Sequence, residues 1–371
     1  MAVNPLRTPG QQGAPWAART PPNGPAMALK RRTGIMADPT REQLRELHGK
    51  FGEFWDAGPW QALDDLDVVA VEHPSGRYTG YCSVLGSAFR KYGLAVFIGD
   101  EGLSGYLDLV NDEVDPESPE GFDRMNALLA VRGDRESLSE SEIAAMRRAR
   151  LRYRGRGVWP ILRSLRPGYL PWRLDEDEAV FLTVALGNMI DVASRVLSGD
   201  LVLYGEDNSD LMLMRVFHDG AWVDRWMKFP EPVTPAPAPE YHDAERLRRL
   251  SLSIPNGSAV WELGVFYVRT SVQEERGSRP YFPTMALAVD RSTTLIVGMK
   301  LLGASPSYEE RRDALVEMLE SADALPSLVV GDSVETAMLA LPILYELGVE
   351  LTLESTPGIY DARSTFEHFT D

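Results

Sequence analysis

The chain has a single cysteine, Cys82, in 371 residues, so it can form no disulfide within itself. With no electropositive group near it in sequence, this thiol reads as a small buried hydrophobe in a strand, not as a nucleophile. Histidine is almost as scarce. The five, at positions 48, 73, 218, 242 and 368, lack the C-x2-C or H-x3-H company of a zinc site. His73-Pro74 reads as the positioning of a strand end. No apolar run approaches the ~18 residues of a membrane span, and the first 38 residues lack the apolar stretch of a signal peptide. The expectation is a cytoplasmic protein with no membrane contact. Nucleophile-elbow, H-E-x-x-H, Walker and dinucleotide-binding signatures are all missing, and no 20–50-residue repeat is present.

Basic charge is in deficit: 38 Lys and Arg stand against 55 Asp and Glu, for a net −17. Residues 1–38 hold five basic residues and one acidic, so the remainder carries −21. A body that acidic repels nucleic acid and anionic membrane at long range, which disfavours a dedicated nucleic-acid binder. Residues 1–38 are rich in Pro, Gly, Ala and Arg without hydrophobic period and are expected to be a disordered extension. Met27 and Met36 stand as alternative starts to Met1.

Patterning assigns an N-terminal α+β domain to residues 39–228 and a proline-rich linker, FPEPVTPAPAPE, to 229–240. A C-terminal α/β domain fills 241–371. The spacing of Leu44, Leu47, Phe51 and Phe54 predicts a helix over 41–56, capped by Asp38 or Thr40. Strands are expected at 68–71, 78–85, 94–98 and 126–131, a helix over 102–110 and an acidic loop over 111–121. The capping box Ser139-Glu140-Ser141-Glu142 starts a helix ending near Arg150. A long helix over 175–197 opens on four acids, and a hairpin turns at His218-Asp219-Gly220. Beyond the linker a short helix over 242–250 is expected, then strands at 260–269, 284–289 and 294–302, a helix over 308–322, a strand at 327–330, a helix over 335–347 closed by Gly348, and a strand at 350–353.

The residues His73-Pro74, Gly76, Tyr81, Ser83, Leu85-Gly86, Tyr92-Gly93-Leu94, Gly99, Gly102-Leu103, Trp159-Pro160 and Pro167–Trp172 resemble the pattern of a bacterial family of domains of unknown function, over roughly 45–225. The resemblance implies no activity. Residues 255–360 resemble a second uncharacterised domain that accompanies the first. Their βββαβαβ order is also similar to the RNase H/integrase fold, which implies two leading acids, on the first and fourth strands of that domain, holding Mg²⁺ between them. Asp332 stands at the end of the fourth strand. Gly264 occupies the place of the first acid, with Glu262 two residues away on the same face, and Asp361 or Glu367 is the nearest third carboxylate.

Each candidate has a bland counterpart. Asp332 reads as a metal ligand or as the cap of the next helix, and Asp290 as a turn residue. Gly99-Asp100-Glu101-Gly102 reads as a turn, since its two acids repel a phosphate. Arg147, Arg148, Arg150, Arg152, Arg154 and Arg156, with no acid among them, read as a helix-end charge patch or as a site for phosphate, RNA or an acidic partner. Trp159, Tyr169 and Trp172 lie nearby in sequence. The expectation is a non-catalytic binding or adaptor protein without cofactor or metal. The alternatives are a divergent nuclease using Glu262, Asp332 and Asp361 with Mg²⁺, and RNA or phosphate binding through Arg147–Arg156.

Overall fold

The structure is a computed structural model and describes residues 37–86, 91–111, 113, 115, 118–204, 210–230, 240–275 and 277–368. Nearly all of the expected N-terminal extension, and residues 231–239 of the proline-rich segment, lie outside the described residues.

In chain order the elements are α1 (Arg41–Ala57), β1 (Val69–Glu72), β2 (Thr79–Leu85), β3 (Gly93–Ile98), α2 (Gly99–Val110), α3 (Pro119–Arg124), β4 (Ala127–Gly133), α4 (Glu140–Arg148), β5 (Trp159–Leu165), α5 (Glu176–Ser198), β6 (Leu211–His218) and β7 (Ala221–Lys228). There follow α6 (Ala244–Ser253), β8 (Val260–Tyr267), β9 (Thr284–Asp290), β10 (Ile296–Leu302), α7 (Tyr308–Glu320), β11 (Leu328–Gly331), α8 (Val334–Leu347), β12 (Glu350–Leu353) and α9 (Pro357–His368). The protein is mixed α+β, with, among the described residues, one mixed sheet of seven strands and another of five.

Two compact units divide the chain. The first holds Met1–Leu103, Asn126–Ser164 and Trp172–Pro232; the second holds Ser104–Met125, Leu165–Pro171 and Val233–Asp371. The second unit therefore takes in most of α2, all of α3 and the Pro-Gly-Tyr-Leu turn, which precede the proline-rich stretch by many residues.

In the first unit the sheet order is β5-β4-β3-β2-β1-β6-β7, with β1 parallel to β6 and its other described pairings antiparallel. Helices α1 and α5 pack together against it. Thr40 and Gln43 form a capping box on α1, and Asp175 and Glu178 form one on α5. Phe51, Phe54, Phe181, Leu182, Leu186 and Met189 join Val69, Val71, Cys82, Val84, Leu94 and Val96 in one core. Among the described residues α5 alone is long and apolar enough to cross a membrane. Its first turn carries Glu176, Asp177 and Glu178, and nine of its residues are buried in the unit, so it is a core helix.

The second unit has sheet order β10-β9-β8-β11-β12; β8, β9 and β10 are antiparallel neighbours, and β11 runs parallel to both β8 and β12. Alternation along β8 splits its side chains. Trp261 and Leu263 face a core built with α6, α7 and α8. Phe266 lies on the opposite face, where Met285, Leu287 and Val289 meet Ile359 of α9.

Three elements were not expected from the sequence. Strand β5 lies just past the arginine run, α3 occupies part of the expected acidic loop, and α9 follows the last strand. Helix α2 begins at Gly99, so the Gly-Asp-Glu-Gly stretch is its first turn, entered with Gly99 at φ +66°.

Candidate functional site

The sheet face under α9 collects the carboxylates. Glu262 is 1% exposed. Its Oε2 accepts hydrogen bonds from the backbone N–H of Gly358 at 2.7 Å and of Ile359 at 3.3 Å. These are orphan amides of the first turn of α9, so this strand carboxylate caps a helix 96 residues further on. Its Oε1 lies 3.5 Å from Nε of Arg291, whose Nη1 also donates to Glu354 at 3.0 Å.

Asp332 follows β11, and its backbone N–H donates to the Leu263 carbonyl at 3.0 Å. The cap of α8 is its neighbour Ser333, which accepts from Thr336 N–H at 3.1 Å, so the expected capping role falls one residue later. Thr336 Oγ1 in turn accepts from Val265 N–H at 3.3 Å, tying α8 to β8. The Asp332 carboxylate lies over Gly264: a Cβ built there would stand 2.9 Å from Asp332 Oδ2 and 2.7 Å from Ile359 Cγ2. Burial pushes the Asp332 carboxyl above the usual carboxylate range, against the opposing pull of Thr336, Ser333 and Arg363. Its Oδ1 is buried without a hydrogen bond.

Asp361 is exposed on α9, and the side chain of Glu367 lies outside the described residues. Among the described residues no group of three or more His, Cys, Asp or Glu is placed to hold a metal ion. Glu262 spends one oxygen on α9 and faces Arg291 with the other, a donor set that does not fit Mg²⁺. Asp290 is a turn residue: its Oδ1 accepts from the backbone N–H groups and the hydroxyls of both Ser292 and Thr293. Cys82 is fully buried, and burial raises its thiol pKa, which makes it inert.

The arginine run forms a different surface. Helix α4 starts on the expected box of Ser139 and Glu142. It ends in a Schellman arrangement, with Leu151 N–H on the Met146 carbonyl at 2.9 Å and Arg150 N–H on the Arg147 carbonyl at 3.0 Å. Arg150 takes the left-handed position, φ +59°, where glycine is favoured. Beyond it exposure alternates. Leu151 and Tyr153 turn inward, whereas Arg147, Arg148, Arg150, Arg152, Arg154 and Arg156 are all exposed. Among the described residues none of the six is paired with an acid.

The frame beneath them is fixed. Tyr153 Oη lies 2.9 Å from Nδ1 of His48, and its ring packs between those of His48 and Trp159. Burial pushes His48 down to about 4, so its imidazole is neutral. Arg45 Nε donates to the Ala149 carbonyl at 2.8 Å. Trp159 is thus engaged in packing. Tyr169 packs on Tyr281 in the second unit, and Trp172 pairs by backbone with Ser164 in the first. The structure does not gather these three aromatics around the arginines as a stacking platform.

Arg291, Thr336 and Arg363 escaped the sequence reading, because each acts through a partner far away in the chain. No curated protein matches the chain. Residues 45–215 match the family model described as Domain of unknown function (DUF7309), and residues 246–367 match the one described as Domain of unknown function (DUF6930). The chain is therefore a two-domain protein, each half drawn from a family of domains of unknown function.

Proposed function

We propose that this is a cytoplasmic binding protein whose contact surface is the Arg147–Arg156 segment, and that its ligand is single-stranded RNA. The observation that carries this reading is the set of six exposed arginines that have no acidic partner among the described residues, mounted on the fixed His48–Tyr153–Trp159 frame. Arg152 and Arg154 flank the inward-turned Tyr153, and residues two apart in an extended chain stand about 6.6 Å from one another, a spacing that suits successive phosphates of an extended strand. Arg150 in a strained backbone position is consistent with a side chain held there for contact. A buried lone cysteine suits a reducing compartment.

The second unit reads as RNase H-like in its element order, supported by the β10-β9-β8-β11-β12 sheet with β9 antiparallel to both neighbours. Its carboxylates favour a structural use over metal-dependent cleavage, since Glu262 holds α9.

The test is fluorescence anisotropy of the full chain with a labelled oligouridylate. Contact with about four phosphates predicts a slope of log K against log salt near −3. The exposed triple substitution Arg150→Glu, Arg152→Glu, Arg154→Glu is expected to abolish binding while leaving the melting curve in place. Absence of binding by the native chain at 50 mM salt would sink the reading.

A further inference from the structure

In the first unit, the turn between β1 and β2 holds an exposed serine in an unusual set of contacts. His73 is 5% exposed, and its ring is clasped by Tyr78 and Phe181, at centroid distances of 4.7 and 5.3 Å. Ser75 N–H donates to His73 Nδ1 at 3.1 Å. A backbone amide can only donate, so Nδ1 is the acceptor and the ring hydrogen sits on Nε2. Nε2 faces Asp177 Oδ1 at 3.4 Å; Arg77 Nη2 lies 3.4 Å from the same nitrogen and donates to that carboxylate. Ser75 Oγ lies 2.8 Å from the same Nδ1 and therefore donates to it, while accepting from Arg77 Nε at 2.8 Å. Arg77 is itself ion-paired to Asp177, and Tyr78 Oη donates to Asp177 Oδ2 at 3.2 Å. The turn itself is closed by backbone bonds, Gly76 N–H to the His73 carbonyl at 2.7 Å and His73 N–H to the Tyr78 carbonyl at 2.8 Å. The hydroxyl, the carboxylate and the guanidinium go beyond it.

We propose that Ser75 is an acyl-accepting nucleophile, with His73 as its base and Asp177 orienting the imidazole, acting on neutral carboxylic esters. Ser75 is exposed and reachable, its proton points at a ring nitrogen, and Arg77 Nε fixes the orientation of its hydroxyl. The charged groups facing His73 are Asp177 and Arg77; burial, the largest influence, keeps the imidazole neutral and able to accept a proton. The acids Glu176, Asp177 and Glu178 in the first turn of α5 disfavour an anionic phosphate ester and favour an uncharged one.

In the step, Oγ forms a bond to the ester carbonyl carbon and its proton passes to His73 Nδ1. The tetrahedral adduct then breaks its bond to the leaving alkoxide, which takes that proton and departs as the alcohol. Acyl-Ser75 remains. Water, deprotonated by Nδ1, attacks it in turn, releasing the carboxylic acid and restoring Ser75.

The experiment treats the full chain with p-nitrophenyl acetate and locates acetylation by peptide mass spectrometry. Ser75 is expected to be the dominant site, with none there in Ser75→Ala and a labelling rate lowered about tenfold or more in Asp177→Asn. Should Asp177→Asn fail to fold, Ser75→Cys supplies the second reading. Its thiol should be alkylated by iodoacetamide with an apparent pKa below the ordinary ~8.5 of cysteine, while buried Cys82 stays silent. No acetyl group on Ser75, equal rates in Asp177→Asn, or a thiol titrating as an ordinary cysteine would overturn the proposal and leave the RNA-binding reading untouched.

Discussion

At Gly264 the chain omits a side chain and the structure fills the space from two sides, with Ile359 and Asp332. An acid there would meet both within 3 Å, so the missing carboxylate of the nuclease pattern is replaced by packing. Asp332 bears the consequence. Its folded-state pKa is raised by burial, so its favourable contribution is present below the unfolded value and is lost as pH rises through the folded one. The neutral isostere Asp332→Asn is therefore expected to stabilise the protein at pH 7 and to give no advantage below about pH 3.9, the unfolded value. Urea unfolding of both proteins at the two pH values reads this directly. Equal stability at pH 7 would show that the ionised carboxylate costs nothing where it sits.

Helix α9 illustrates what a sequence can conceal about an element. Helices α1, α4, α5 and α7 carry their caps locally, in Thr40/Gln43, Ser139/Glu142, Asp175/Glu178 and Ser307/Glu310. Those of α1, α4 and α5 were readable as start signals. The N–H groups of α9 are instead met by Glu262 on β8, and no local rule points from one to the other. Strand β5 was hidden by its Trp-Pro start after an arginine-rich stretch, and α3 by a six-residue length inside acidic sequence. The candidate carboxylates were legible as residues, but their use was not, because it depends on that remote helix end. Glu262→Ala is expected to cost about 1–3 kcal/mol by leaving buried amides unpaired. Hydrogen exchange should quicken first at Gly358 and Ile359. Unchanged protection there would refute the capping role.

On the scale of the molecule, the second unit extends beyond the residues that follow the proline-rich stretch. Phe122 stacks on Phe282 with ring centroids 5.6 Å apart, and Gly168 N–H donates to the Phe122 carbonyl at 3.1 Å. Leu170 N–H reaches the Pro280 carbonyl at 2.9 Å, and Asp123 lies 3.7 Å from Arg311. These contacts predict that a fragment of residues 241–371 alone melts well below the corresponding transition of the whole chain. Circular dichroism of the fragment is the measurement, and an unchanged transition would mean that the borrowed segments are ornamental.

The Phe122–Phe282 stack also sets an order in time. A ribosome working at about 5–20 residues per second takes roughly 8–32 seconds to travel from one ring to the other. Throughout that interval Phe122 is without its partner, while the first unit gains Asn126–Ser164 and Trp172–Pro232 and so completes its own sequence. The nascent chain must carry an unsatisfied apolar segment through the synthesis of more than a third of its length. That interval is when a chaperone would have most to offer this protein.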